Sequence, residues 1–530
     1  MKTLRSYVAG RWHEAGTGFR TLVDPCSEEP IARASSAGID FGHALAHATR
    51  QGGPALRGLT FAERGEMLAR ASAALHERRD ELIQLSLENT GTTRRDSKFD
   101  IDGATATLAY YATLGRELAD RRHLVDGDGV QLGRSPRFWG RHVRVPLQGA
   151  AVHINAFNFP LWGLAEKAAC AILAGMPVLT KPATSSALVA ECAVEILIEA
   201  SVFPAGSLSL VCGSTGDLLD RLGPQDVVAF TGSVTTAAGL RASPKLISAA
   251  TRINVEADSL NAAILGPDVA TATETWAAFV REVTREIMQK SGQKCTAVRR
   301  ILVPAHRIDE VEAALADEID RVVVGNPREE SVTMGPLATA DQLRDAVDGV
   351  RRLREEARLV RGTGDRVDGV GNPAGRGFFF GPTLLRASDA DKAGAVHEHE
   401  VFGPVATVLA YDGTAEHAAR LVARGGGMLV TSLYTDDERF LADYWTAGAA
   451  TSGRLYVGSE KVAPLLPGSG LVLPAMTHGG PGRAGGGAEL GGVRGLDLYL
   501  QRVAVSGDRA SVERLAMGGS DPASSAPEVR

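Results

Sequence analysis

The sequence predicts an α/β protein of two tandem units, each built on a mostly parallel, doubly wound sheet. Three observations predict it. After Pro146 the short apolar runs GAAVHINA, PVLTKP, SLSLVCG, DVVAFTG and ATRINVEA alternate with the helical stretches GLAEKAACAILA and SALVAECAVEILIEA. A second series of the same texture follows Thr271: helix TETWAAFVREVTREIMQ, strand RRILVPA, helix RIDEVEAALADEIDRV, then VATVLAYD and GMLVTSLYT. The third observation is 60 glycines in 530 residues, above the usual roughly 7%, spread through short turns rather than set in a period.

Around these series the other elements follow in order. Residues 60–125 carry helical periodicity, with Leu68, Ala71, Leu75, Leu82 and Leu85 three, four or seven apart between Arg and Glu. Residues His478 to Gly492, HGGPGRAGGGAELGG, are expected to be a loop because so many glycines disfavour regular structure, and GGSDPASSAP after Met517 reads as a frayed tail. Between them DLYLQRVAVS alternates as a strand that joins another sheet.

Composition excludes several classes. Apolar residues at 44% and charged residues at 23% exclude wholesale disorder. The 57 Lys and Arg against 63 Asp and Glu give a formal charge of −6, so nucleic acid is not the expected partner. Five scattered cysteines, Cys26, Cys170, Cys192, Cys212 and Cys295, have neither disulfide-framework nor zinc-ligand spacing, and no metal is expected. The N-terminus never reaches an apolar core of a signal peptide, and the most apolar stretch, Leu161 to Leu179, holds Glu166 and Lys167. A cytoplasmic protein without a membrane segment is the expectation.

Cys295 lies in MQKSGQKCTAVRR, between a long helical pattern and a strand, where Gly292 permits a tight turn. Position alone leaves two readings, a small buried hydrophobe or a thiol on an interdomain loop. The segment Ser291-Gly292-Gln293-Lys294-Cys295-Thr296-Ala297 resembles the N-x-G-Q-x-C-x-A signature of aldehyde dehydrogenases. Further resemblances follow in the family's order: YVAGRW and VDP near the start, Phe157-Asn158-Phe159-Pro160, Thr180-Lys181-Pro182, FPAG at Phe203, FTGS at Phe230, Glu256, VGNP at Val324, MGPL at Met334, GPTLL at Gly381 and EVFGPV at Glu400. Together they cover about residues 5 to 505.

The resemblance implies a fold and a chemistry. The fold is a modified Rossmann cofactor domain, an α/β catalytic domain and a β oligomerisation arm. They are expected over residues 1–125 and 146–257, 258–475, and 126–145 with 485–507, leaving 508–530 as a flexible tail. Cys295 is the nucleophile, since a thiolate adding to a carbonyl splits one hard step into two easier ones. Asn158, with the Cys295 backbone N–H, is the donor to the developing oxyanion. Glu256, at the end of strand-like TRINVEA, is the general base that activates water for hydrolysis of the thioester; a carboxylate partly desolvated there is expected to have a raised pKa. The family's E-L-G-G-K is here Glu256-Ala257-Asp258-Ser259-Leu260, which changes the backbone beside the nicotinamide.

There is no G-x-G-x-x-G. By resemblance Phe230, Gly232 and Ser233 open a helix whose N-terminus meets the cofactor pyrophosphate, Lys181 reaches the adenosine ribose, and Glu400, before Val401-Phe402, holds the nicotinamide ribose. Many members that prefer NAD carry Glu three residues after this Lys; here Thr184 stands there, followed by Ser185. The expectation is NADP, held by Lys181, Thr184 and Ser185, with NAD as the weaker cofactor.

The departures AFNFP, VEADSLN and HGGPGRAGGG resemble the dehydrogenase part of bacterial ring-opening enzymes of aromatic degradation, which act on CoA-linked semialdehydes. One branch carries a C-terminal hydratase domain for which these 530 residues leave no room, so the stand-alone branch of aerobic benzoate oxidation through benzoyl-CoA is expected. A general aldehyde dehydrogenase, one of phenylacetate degradation, an acylating enzyme and a silent binding protein are the alternatives. The partners are a small CoA-linked aldehyde and a second copy of the chain, as homodimer or dimer of dimers.

Overall fold

The computed structural model describes residues 1–465 and 467–517. One seven-stranded sheet has the order Arg252–Glu256, Val227–Thr231, Ala151–Ile154, Val178–Lys181, Leu208–Leu210, Ser6–Val8, Arg11–His13. The first five strands are parallel, and the N-terminal pair is an antiparallel hairpin turning at Ala9 and Gly10, both at positive φ. Among the parallel strands Ala151–Ile154 comes first in sequence and lies between the second and the fourth. The sheet therefore reverses direction there, and a crevice opens beyond the carboxyl ends of its strands.

The second seven-stranded sheet runs Ala357–Arg361, Thr383–Ala387, Val405–Tyr411, Arg300–Pro304, Ala262–Leu265, Met428–Tyr434, Ser452–Gly458. Only its first strand is antiparallel to its neighbour. Helices cover both sheets, so the central strands are buried on both faces and read as continuous apolar runs such as VVAF and MLVTSLY. The periodic segment after residue 60 forms helices Phe61–Glu77, Arg79–Thr90 and Arg94–Leu118. A Thr60/Glu63 capping box starts the first, Gly91 in the left-handed region ends the second and Thr93 caps the third.

A third sheet joins Leu124–Gln131, Phe138–Pro146 and Leu500–Asp508, all antiparallel, with every residue of the last strand in register against the middle one. The C-terminal strand of this sheet starts at Leu500, and within the residues expected from 485 onward Gly492–Tyr499 is a 3-10 helix packed on the main core. Two expectations change here. The glycine-rich segment is not all loop: Thr477–Gly479 pairs with Ala488–Leu490. A Cβ at Gly479 would stand 2.1 Å from the Gly487 carbonyl oxygen, so the glycines permit close backbone approach instead of preventing a strand. Residues Arg509–Ala516 of the expected tail form a helix capped by Asp508, with Val512 and Ala516 buried and Glu513 bonded to Trp139 and Arg141; residues 518–530 lie outside the described residues. The five cysteines are free, and among the described residues no helix is long and apolar enough to cross a membrane.

Candidate active site

The sequence-chosen residues converge because most follow carboxyl ends of strands in the first sheet. Asn158 lies four residues beyond Ile154, Lys181 ends Val178–Lys181, Phe230, Gly232 and Ser233 bracket the end of Val227–Thr231, and Glu256 ends Arg252–Glu256. Cys295 arrives from the other side, on the segment between helix Glu274–Met288 and strand Arg300–Pro304.

That segment is bent and tied down. Lys290, Ser291 and Gly292 in succession adopt positive φ, a conformation costly for the two side-chain-bearing residues and held only by surrounding bonds. A Cβ at Gly292 would lie 2.2 Å from the Gly403 carbonyl oxygen. The Lys290 N–H donates to Asp96 (3.1 Å), Ser291 Oγ to the Gly335 carbonyl (2.8 Å) and Asn158 Nδ2 to the Gln293 carbonyl (3.0 Å). Asn261 Nδ2 donates to the carbonyls of Cys295 (2.7 Å) and Ala297 (2.9 Å), and Arg299 Nη2 to that of Gly292 (2.9 Å). Among the described residues the Cys295 N–H has no acceptor, which leaves it able to serve an oxyanion.

Cys295, Glu256 and Asn158 line one pocket of about 40 Å³, with Glu166 and His478; the volume suits about one water. His478 Nε2 lies 3.2 Å from Glu256 Oε1 and 3.9 Å from Cys295 Sγ. The contact with Glu256 lacks the alignment of a hydrogen bond and becomes an ion pair when His478 is protonated. Burial alone would raise Glu256, but His478 and then Lys167 overcome it, and the carboxyl sits below the ordinary range. The expected upward shift is thus reversed, because the imidazole that faces the base outweighs desolvation. Burial would lower His478, yet Glu256 and Glu166 hold it raised. The Cys295 thiol is pushed well above its ordinary value, by burial first and then by the Glu256 carboxylate.

Behind Glu256 lies a buried charge network. Lys167 Nζ is 3.0 Å from both Glu166 and Glu489, and Asn254 Nδ2 donates to Glu489 at 3.0 Å. Burial, with Glu489 and Glu256 nearby, raises Glu166 against the opposing effect of Lys167.

A second cleft, of about 370 Å³, meets the first at Cys295 and Glu256; Lys181, Phe230, Gly232, Ser233, Glu400 and Phe402 line it. Glu400 is buried and accepts from the Ser259 N–H (3.0 Å) and Arg299 Nε (3.3 Å). Burial raises it to about 7, with Arg299 opposing. Burial lowers Lys181. Thr184 and Ser185 do not line this cleft; they form a half-buried 3-10 turn beside it, where the Ser185 carbonyl accepts from Asn89 Nδ2. At the start of helix Val234–Arg241 the Ser233 Oγ accepts from the Thr236 N–H, and the Val234 N–H donates to Asp258 Oδ1 at 3.0 Å. A carboxylate therefore already occupies the helix N-terminus.

Sequence reasoning missed several of these groups. Glu166 and Lys167 are two charges inside the otherwise apolar helix Trp162–Ala174, and Arg299 and Arg300 are two cations opening a buried strand. Such buried charges require partners, so both pairs were findable. Nothing local marks His478, Glu489 or Asn261, whose site partners Glu256, Asn254 and Cys295 are 222, 235 and 34 residues away in sequence.

The aldehyde dehydrogenase family model matches residues 12–505. A 3,4-dehydroadipyl-CoA semialdehyde dehydrogenase of Aromatoleum evansii is 44% identical over 482 residues, which cover 90% of this chain and 93% of that one. Among solved structures, betaine aldehyde dehydrogenase of Staphylococcus aureus in complex with NAD+ superposes with a TM-score of 0.82 at 24% identity, covering 95% of this chain and 94% of that one. Lactaldehyde dehydrogenase of Escherichia coli gives 0.81 at 25% identity, over 95% and 99%. With its fold, its thiol, carboxylate and amide around one pocket, and these matches, the chain belongs to the aldehyde dehydrogenase family.

Proposed function

We propose that this chain is a hydrolytic, NADP-dependent dehydrogenase that oxidises 3,4-dehydroadipyl-CoA semialdehyde to the carboxylate in aerobic benzoate degradation. The 44% identity to a dehydrogenase of that name carries the substrate reading. The pocket can carry the chemistry: Cys295 releases its proton to water and attacks the aldehyde carbon as the thiolate, and Asn158 Nδ2 with the Cys295 N–H donates to the oxyanion. A nicotinamide held in the second cleft would supply the hydride acceptor; loss of hydride from the tetrahedral adduct leaves a thioester on Cys295. Glu256, kept ionised beside His478, takes a proton from water that attacks the thioester, and Lys167 with Glu166 and Glu489 offers that proton onward paths.

The cofactor fits the second cleft. The cleft lies at the point where strand order reverses, Glu400 is a buried carboxylate suited to ribose hydroxyls, and Lys181 is a cation at its far end. For NADP the support is Thr184 in place of an acid and the Arg20 guanidinium, near enough to act electrostatically on Lys181. Asp258 on the Val234 N–H opposes phosphate and lies 3.8 Å from Arg483.

In this reading residues 1–125 and 146–257 hold the cofactor, 258–475 carry the nucleophile, and 126–145 with 485–507, whose strand begins at Leu500, form the arm by which two copies associate. Support for the arm is the open edge of strand Leu500–Asp508, with Val503, Val130 and Phe138 of the same sheet exposed. Initial NADPH formation with the CoA-linked unsaturated C6 semialdehyde, the free semialdehyde and simple aliphatic aldehydes tests the substrate. Turnover confined to the CoA-linked compound and abolished in Cys295→Ala supports it; equal turnover of short free aldehydes makes the chain a general aldehyde dehydrogenase.

A further inference from the structure

We propose that the outer end of the passage to Cys295 is a phosphate-binding site for the CoA part of the substrate. It is built from Arg95 and Lys98 of helix Arg94–Leu118 and Arg285 of helix Glu274–Met288. The proposal rests on the substrate being a CoA thioester.

The inner pocket and the outer cavity are neighbours that share a wall. Phe99 and Trp162 line the pocket at Cys295 and also an outer cavity of about 420 Å³ that carries Arg95, Lys98 and Arg285. Arg95 and Arg285 in turn border a cavity of about 750 Å³ to which Arg281 and Arg321 contribute. At the inner end Phe99 packs edge-on against Phe159 and Trp162, with ring centroids 6.0 and 5.3 Å away. The wall thus changes from aromatic at the thiol to cationic at the mouth. Helical spacing produces the change: Arg95, Lys98, Phe99 and Asp102 fall three or four apart and share one face, as do Arg281 and Arg285 on the facing helix.

The charge at the mouth is not neutralised. Of the acids there, Asp102 is held by Arg79 through two bonds (2.5 and 2.9 Å) and Glu286 by Lys294 (2.6 Å). Among the described residues Arg95 and Lys98, both exposed, have no carboxylate within 4 Å. Arg285 has Glu286 at 3.8 Å, and its Nη2 is buried without a hydrogen-bond partner. Arg95 and Lys98 without a carboxylate, and Arg285 with a free Nη2 beside a carboxylate that Lys294 already holds, are placed for phosphate oxygens at the mouth of a pocket. A CoA thioester has the matching polarity: a reacting aldehyde, a long uncharged pantetheine arm, then a diphosphate and a 3′-phosphate. With the aldehyde at Cys295, the arm fills the narrow part and the phosphates reach the cations.

The test compares the CoA thioester of a C6 semialdehyde with its pantetheine thioester, which lacks the nucleotide, and with the CoA-free C6 semialdehyde. For wild type the expected kcat/KM ratio of CoA to pantetheine thioester is at least tenfold at low salt, shrinking as ionic strength rises. Arg95→Ala/Lys98→Ala brings the ratio close to one, through KM rather than kcat. Arg116→Ala, at the far end of the same helix, keeps it. Both substituted side chains are exposed, and an unchanged thermal transition checks the fold. A double variant that retains the wild-type ratio overturns the assignment of the mouth alone. A wild-type enzyme that oxidises the CoA-free semialdehyde as well as both thioesters overturns the CoA reading itself, and this proposal with it.

Discussion

His478 Nε2 stands 3.2 Å from Glu256 Oε1 and 3.9 Å from Cys295 Sγ, so a single imidazole, its pKa raised by Glu256, faces both the base and the nucleophile. Its other charged neighbours are Glu166, which supports its proton, and Arg454, which opposes it. With His478 charged, Glu256 sits below the ordinary carboxylate range and is ionised throughout the neutral region.

Replacing this cation leaves burial as the largest influence on Glu256, and burial favours the uncharged acid. In His478→Asn the acidic limb of kcat therefore moves to higher pH, by about one unit or more, with activity recovering as pH rises. A pH profile measured where deacylation limits turnover checks this; an unmoved limb removes His478 from the account.

Among the described residues Asn158 is the only side-chain amide lining the inner pocket. Asn158→Ala lowers kcat by roughly 10²–10³, while the Kd for NADP, followed by fluorescence, stays within about twofold. Equal losses in cofactor binding and turnover would instead mark it as a prop for the Gln293 carbonyl.

Asp258 accepts from the Val234 N–H at the very helix end expected to meet the cofactor's pyrophosphate. A charge at a helix end is worth about 0.3–1 kcal/mol, so Asp258→Gly lowers the KM for NADP roughly two- to fivefold. A raised KM would show that the carboxylate organises the site instead of competing for it.

In the proposed cofactor reading Thr184, beside the cleft, puts an uncharged residue where an acid would repel a 2′-phosphate near Lys181. Wild type favours NADP in kcat/KM, and Thr184→Glu shifts that ratio toward NAD by about tenfold or more, since an acid binds ribose hydroxyls and repels phosphate. Wild type favouring NAD would contradict the cofactor reading.

Much of this architecture was legible because the relevant signals are local. The period of apolar residues locates helices such as Arg94–Leu118, and apolar runs such as Val227–Thr231 mark buried strands. Cys295, Asn158 and Glu256 could be chosen because they sit in motifs, and they do line one pocket. Their electrostatics were not legible: Glu256 was expected to be raised, and its shift reverses through His478, 222 residues along the chain. The glycine-rich segment misled for a related reason. Glycine lowers local strand propensity, but the close approach of Gly479 to the Gly487 carbonyl depends on packing that only the fold supplies. The same holds for Asn261, a polar residue opening an apolar strand, whose amide fixes the Cys295 carbonyl.

The most direct test of the central claim, a Cys295 thioester hydrolysed by water that Glu256 activates, is a rapid-mixing measurement on Glu256→Gln. Removing the carboxylate also removes a charge that keeps the thiol protonated, so acylation survives while deacylation stalls. The account predicts a burst of one NADPH per active site, then turnover slowed by roughly 10²–10⁴, with the acyl mass found on the Cys295 peptide. No burst, or steady turnover near the wild-type rate, would contradict it.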